Sequence, residues 1–461
     1  MIRRHHGRHF LVAPSLPRHG LTFAPPHHHA YLIPFFMKNA VLLLTFTPLL
    51  ALATATAAPS WPAYRGPQGD GTTTEKVGKT LWPSAGPKKL WTAETPTGFS
   101  SFAVDAGRAF TLVQKEIDGV PTEVCLALDA ATGKEVWATP LKLAKYDGGG
   151  NDGASGNNGG DGPRSTPTVA DGKVFILGAN LDLHALDATT GKSLWSKDIV
   201  AEHGGRNIQW KSAASPLLED GLIYVAGGGE GEALLAIKAD SGEVAWKAED
   251  DKMTHATPVA ATIHGVRQIV FFTQNGLVAV GPKDGKVLWR YNFPYRISTA
   301  ASPIVHQDMV YCAAGYGVGM GCAKILKKGS GFEAEELWRK EGDKVTNHWS
   351  SPVVKDGHLY GMFSFKKYGK GPVTCLEMAT GEVKWSQDGF GPGNLILTGG
   401  DTLLALSDTG ELVLIPASPD KYKEIARADV LDGKCWSTPV LANGTIFARS
   451  TKEAVAVDVT K

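Results

Sequence analysis

One turn sequence keeps returning along this chain, and it constrains the fold more than any other feature. Leu128 to Trp137 reads Leu-Asp-Ala-Ala-Thr-Gly-Lys-Glu-Val-Trp, and Leu186 to Trp195 reads Leu-Asp-Ala-Thr-Thr-Gly-Lys-Ser-Leu-Trp. Worn copies run from Ile237 to Trp246, from Val280 to Trp289 and from Met378 to Trp385. The closing Trp falls at 91, 137, 195, 246, 289, 338 and 385, at spacings of 46, 58, 51, 43, 49 and 47. A second marker, Ser or Thr beside Pro and then aliphatics, ends at Pro167, Pro216, Pro258, Pro303, Pro352 and Pro439. Its intervals are 49, 42, 45, 49 and 87, and the last spans two units. The hidden unit starts at Asn394-Leu395-Ile396-Leu397, and an equally degenerate first unit starts at Phe102-Ala103-Val104. Eight units of 40 to 50 residues fit the period of a propeller.

Each unit resolves into four short strands. From Pro167 the pattern gives a strand, the hairpin signal Asp171-Gly172, strands at Val174–Leu177 and Leu181–Leu186, the Asp187–Gly191 turn, and a last strand ending at Trp195. Asp129 and Asp187 can accept hydrogen bonds from turn amides, and Gly133, Gly191, Gly242, Gly285 and Gly381 can take the positive φ that ends such a turn. Trp137, Trp195, Trp246, Trp289 and Trp385 then supply large apolar bodies that can pack on the neighbouring unit. The expected fold is all-β, an eight-bladed β-propeller of four-stranded blades. The chain ends on a third strand, Ala454–Asp458, whose missing fourth strand is Lys89-Leu90-Trp91. One blade therefore takes strands from both termini, which removes the free edges of the ring. The propeller is expected over residues 88–461, and a segment at 58–87, with Trp61 and Tyr64, is expected to dock onto the barrel wall.

Composition agrees: 54 Gly and 20% charged residues suit an all-β chain with many tight turns. The formal charge of +1 is uneven, because residues 1–57 carry five basic residues and no acid. Setting those five aside from the 47 Lys and Arg leaves 42 against 46 Asp and Glu, a net of −4. A mildly acidic body without basic runs argues against a nucleic-acid partner. Residues 1–36 hold seven of the fourteen His without strand or helix period, and read as a disordered or mis-started extension rather than a metal tail. Met37-Lys38-Asn39, the apolar run Ala40–Leu52 and the small residues up to Ala57 read as a secretory signal cleaved after Ala57. The expected location is periplasmic or secreted. The apolar run is shorter than the ~20 residues of a membrane span, so no span is expected in the mature form. No Cys lies near the cleavage site to take a lipid.

The five Cys are 125, 312, 322, 375 and 435, and they read as small buried hydrophobes on strands. Cys312 and Cys322 flank a Gly-rich turn, which leaves a bridge across a hairpin as a weaker alternative. No Cys-x-x-Cys occurs, which argues against a zinc cluster or covalent haem. The Gly-, Asn- and Asp-rich insertion from Asp147 to Gly162 lacks the ligand spacing of an EF-hand and reads as a solvated loop rather than a calcium site. His348 and His358 with Asn347 lack a third ligand, so no metal is expected.

With these repeats the chain resembles the pyrroloquinoline-quinone (PQQ) repeat propellers, and within them the exported proteins related to the outer-membrane assembly factor BamB. Trp61–Gly71, Gly162–Pro167 and Leu431–Trp436 carry the closest resemblance. The motifs specify fold better than function, since this superfamily includes dehydrogenases, scaffolds and sensor domains. The resemblance implies a non-catalytic exported scaffold that binds an envelope protein, a small molecule or a carbohydrate. Two alternatives stand beside it: a PQQ- and calcium-dependent alcohol or sugar dehydrogenase, and a carbohydrate-binding or polymer-processing envelope protein. The dehydrogenases use adjacent cysteines, calcium ligands and an Asp base. Here no two Cys are adjacent and no residue maps onto that base, so no cofactor is expected.

The repeat also points to a location. Three residues before each Pro stand Arg164, Ala213, His255, Ala300, Trp349 and Trp436, and equivalent positions of the blades converge on one rim of the channel. With their neighbours they give the ligand-binding candidates Arg164, Trp210, His255, Arg296, Asn347, His348, Lys434 and Trp436. Aromatic walls with convergent polar groups in a concavity suit a sugar, a quinone or a peptide end. No catalytic residue stands out.

Overall fold

The computed structural model describes residues 60–144, 146 and 162–460. The extension expected at 1–36, the secretory signal expected at 37–57 and all but the last residue of the Asp147–Gly162 insertion lie outside the described residues.

Eight sheets carry the fold among the described residues; seven have four antiparallel strands each, and the eighth has five. Blade 1 is typical, with strands Ala103–Asp105, Arg108–Ile117, Val120–Asp129 and Glu135–Leu143 in that order. Blades 2 to 7 follow in sequence. Blade 8 pairs Lys88–Glu94 with Glu453–Asp458, then Thr445–Arg449 and Val440–Ala442, so both ends of the propeller close the ring as the repeat phase required. The degenerate seventh unit forms its inner strand at Asn394–Thr398. Among the described residues the one α-helix is Ile199–His203, and no helix is long and apolar enough to cross a membrane.

The repeated turn works between blades as well as within one. In the outer hairpins Trp137 faces Ala127, Trp195 faces Ala185, and Trp246 faces Ala236, each beside a one-residue register shift. The small partner leaves room for the indole. The ring then reaches the next blade: Trp137 Nε1 donates to the Ala188 carbonyl at 3.1 Å, Trp195 Nε1 to Ala239 at 3.1 Å, and Trp91 Nε1 to Ala130 at 2.9 Å. Trp289 departs from this and donates to Gln268 of its own blade at 2.6 Å. Cys322 and Cys375 occupy the Ala position opposite Trp338 and Trp385. All five Cys are free and buried. The alternative Cys312–Cys322 bridge fails because Cys312 pairs with Gly321 while Cys322 pairs with Tyr311. That one-residue offset sends the two thiols to opposite faces of the sheet.

The Ser and Thr residues near each Pro join the blades at the inner edge. Ser101 N–H donates to Thr166 Oγ1, Thr166 N–H to Ser215 Oγ, and Ser215 N–H to Thr257 Oγ1, at 2.9 to 3.1 Å. Thr438 N–H donates to Ser101 Oγ at 2.8 Å across the closing seam. Arg449, fully buried, crosses the same seam and donates to Thr111 Oγ1 at 2.9 Å and to the Leu112 carbonyl at 2.7 Å.

The segment before the Lys88–Glu94 strand lies against the inner strands of the ring, on the channel side of the wall. Trp61 exchanges backbone hydrogen bonds with Val104 of blade 1, and Pro62 accepts one from Val169 of blade 2. Arg65, 3% exposed, donates to the carbonyls of Ser351 and Pro352 at the start of blade 6. Thr72 and Thr73 add a short parallel strand to the inner edge of blade 7. This strap ties distant blades together and divides the channel. Beyond it lies a cavity of about 690 Å³ between the strap and the inner strands of blades 4 to 7.

Candidate functional site

In an antiparallel four-stranded blade the 1–2 and 3–4 turns lie at one face, and the 2–3 and 4–1 connections lie at the other. The repeated Asp-x-x-Thr-Gly turns therefore occupy one face, and the segments before each Pro occupy the opposite one. At that opposite face the channel opens into a cup of about 140 Å³. All six residues three places before a Pro line it: Arg164, Ala213, His255, Ala300, Trp349 and Trp436. Tyr64 of the strap lines it as well.

Two aromatic surfaces form its wall. Trp436 lies 4.8 Å from Phe99, 4.7 Å from Trp349 and 5.6 Å from Tyr368, with interplanar angles of 27°, 32° and 14°. Opposite in sequence, Trp210 stacks on Tyr316 at 6.1 Å. Trp210 itself holds φ at +65°, an uncommon setting for a bulky residue that a loop must enforce. Two cations line the cup, Arg164 and Lys366, and the Lys366 ammonium sits 4.7 Å from the Tyr316 ring centroid. No carboxylate is among the described lining residues.

The two histidines of the cup are neutral. His255 Nε2 lies 2.9 Å from the Gln209 carbonyl, so that nitrogen carries the proton and Nδ1 accepts from the Ser298 hydroxyl at 3.1 Å. Burial pushes the His255 pKa down to about 4, and the Arg164 cation adds to the shift. Burial pushes His348 down to about 3, helped by His255 and Lys366. His348 Nδ1 and Trp436 Nε1 are buried without a hydrogen-bond partner among the described residues.

Three further candidates stand elsewhere. Asn347 is fully buried, accepts from the Tyr311 hydroxyl and donates to the Ser350 carbonyl at 2.7 Å, and so supports the loop from behind. Arg296 is exposed at the rim, its Nη1 3.4 Å from the Tyr316 carbonyl. Lys434 is buried with its ammonium 4.9 Å from the Trp436 ring and 5.8 Å from Phe99, outside the lining. His358 is far from His348 in the blade, with Nδ1 against the Asp356 carbonyl at 3.0 Å. Among the described residues no three His, Cys, Asp or Glu side chains converge as a metal site. Tyr316, Lys366 and Tyr368 come from 2–3 connections, which have no fixed offset from the Pro marker, and the repeat therefore did not reveal them.

Beside the cup, between blades 1 and 2, Glu123 is fully buried. It accepts from the Tyr146 hydroxyl at 2.6 Å and from the Ala179 amide at 3.1 Å. Burial pushes its pKa up to about 7.

The crystal structure of the quinohemoprotein alcohol dehydrogenase from Comamonas testosteroni superposes with a TM-score of 0.59 at 13% identity, over 89% of this chain and 82% of that one. At that identity the likeness is one of fold. In sequence, the outer membrane protein assembly factor BamB of Moranella endobia (strain PCIT) is 26% identical over 269 residues, 56% of this chain and 66% of that protein. BamB of Yersinia pestis is 23% identical over 281 residues, 59% of this chain and 67% of that protein. The chain thus spans about two thirds of the length of these relatives. Residues 121–387, more than half the chain, match the family model described as "Outer membrane protein assembly factor BamB", and the chain belongs to that family of PQQ-repeat propellers.

Proposed function

We propose that the protein is an exported binding scaffold of the cell envelope, and that its cup holds an anionic group with a flat apolar face. The observation that carries this reading is the lining: six aromatic rings of the wall, Arg164 and Lys366, and no described carboxylate. Stacked rings favour a flat partner, and a lining with two cations and no described carboxylate favours a negative one. The relatives are named as assembly factors, which supports an envelope protein as the bearer of that group. The secretory signal read at residues 37–57 supports export.

The dehydrogenase alternative fits less well. The aromatic, cationic wall suits a flat anionic quinone. Calcium and the base, however, both require carboxylates, and the described cup has none. No dehydrogenase step follows from these residues.

Tryptophan fluorescence tests the reading. Naphthalene-2-carboxylate is expected to quench the cup with an affinity at least about tenfold above that of naphthalene-2-carboxamide, roughly the 1.4 kcal/mol of one charge-assisted contact. Trp436→Ala and Arg164→Ala are expected to weaken it, and to reduce co-purification of an envelope partner. Equal affinity for the acid and the amide would sink the anionic reading.

A further inference from the structure

We infer that Ser298 and His255 form a nucleophile–base pair, with the Gln209 carbonyl as its third member, able to take an acyl group from an aromatic ester. The inference rests on the cup admitting a ligand, as proposed above.

Three observations carry it. First, Ser298 is bonded differently from three other hydroxyl residues of the cup. Ser101, Thr166 and Thr257 spend their oxygens accepting amides in the ring that joins the blades. Ser298 instead donates to a ring nitrogen, His255 Nδ1, at 3.1 Å. That is the separation at which an imidazole can remove a hydroxyl proton during attack. Second, His255 is oriented from its other side. Its Nε2–H donates to the Gln209 carbonyl at 2.9 Å, which fixes the tautomer with Nδ1 free to accept. An acceptor in that place also steadies the imidazolium that forms, the role the buried carboxylate has in Ser-His-Asp sites. Third, both side chains line the open cup, although Ser298 and His255 are each 5% exposed, so the pair is screened from bulk water yet reachable from the cup.

The step balances without a further reagent. Ser298 Oγ bonds to the ester carbonyl carbon as its proton passes to His255 Nδ1. The tetrahedral oxygen gains its negative charge in a cup whose described lining has two cations, Arg164 and Lys366, and no acid. The C–O bond to the aryl oxygen then breaks, and His255 returns the proton to that oxygen. Water, deprotonated by the same nitrogen, attacks the acyl-serine carbonyl, and His255 returns that proton to Ser298 Oγ as the acyl C–O bond breaks and the carboxylic acid leaves. The low proton affinity of His255 makes it a weak base, so good leaving groups such as phenols are the expected substrates. The aromatic walls would stack on them.

The full-length protein is treated with a fluorophosphonate probe and, separately, with p-nitrophenyl acetate. One phosphonyl group is expected on Ser298 by peptide mass spectrometry, with a burst of p-nitrophenol close to one equivalent. Ser298→Ala is expected to abolish both. His255→Gln, which keeps a side-chain donor for the Gln209 carbonyl but has no basic nitrogen, is expected to slow labelling about a hundredfold or more with an unchanged circular dichroism spectrum. Absence of label at Ser298 under conditions that saturate a reference serine esterase would overturn the inference. So would equal labelling of the Ser298→Ala protein. The naphthoate titration on the same samples separates the two readings. Binding without labelling removes the acyl-transfer pair alone. Labelling without preference for the acid removes the anionic reading alone.

Discussion

The six-membered ring of Trp137 lies against Gly191 of the next blade, where a Cβ would come within 2.7 Å of the indole and 2.6 Å of Thr139 Oγ1. Gly191 also holds φ at +72°. The glycine of the repeated turn therefore meets two demands, one of backbone conformation and one of space. Gly172, in the neighbouring hairpin, has the same φ with nothing within 4 Å. Gly172→Ala is expected to cost about 1–2 kcal/mol, the left-handed penalty alone. Gly191→Ala should lose at least a further ~1 kcal/mol through overpacking. Urea denaturation of both variants decides it; equal losses would mean the indole yields freely.

The inner ring makes a second matched pair. Ser215→Ala removes the acceptor of the buried Thr166 amide and is expected to cost about 1–3 kcal/mol. The Ser302 hydroxyl is buried with no hydrogen-bond partner among the described residues, and Ser302→Ala should be neutral or mildly stabilising. Unfolding midpoints that move together would remove the ring as the reason for these hydroxyls.

Arg65 holds the strap. Its guanidinium is buried and bonded to carbonyls of blade 6 and of the strap itself. Arg65→Met is expected to destabilise the protein by roughly 2–5 kcal/mol, because the buried carbonyls it served lose a charged donor. A midpoint within error of the parent would show that the strap contributes little to stability.

The buried titrating groups give opposite pH trends. His255 and His348 have folded pKa values near 4 and 3, below the unfolded value of about 6.5. Below pH 6.5 the unfolded chain binds protons that the folded one refuses, so their contribution is lost as the pH falls toward 3. Glu123 is shifted up to about 7, so its contribution is full below the unfolded carboxylate pKa and is lost as the pH rises through 7. Glu123→Gln should leave stability at pH 5 close to that of the parent and raise it at pH 7.5. An equal shift at both pH values would place the carboxyl in one protonation state throughout.

The sequence by itself determined the blade count, the phase of each blade and the closing seam. It could do so because each turn is encoded locally, by Asp that accepts turn amides and Gly that takes positive φ, and because a fixed period leaves one way to close the ring. Symmetry extended this to the site: six residues at one offset from Pro were certain to meet at a rim once the ring formed, and all six line the cup. What lay outside the period depended on tertiary structure. Tyr316, Lys366 and Tyr368 enter from connections of irregular length, and Asn347 turns into the core because Tyr311 and Ser350 satisfy it there. The strap's path along the inner strands and the meeting of Ser298 with His255, 43 residues apart, came from packing between blades. The direction of a side chain in a loop is set by the neighbours that fill the space around it, and those neighbours are assembled only by the closed ring.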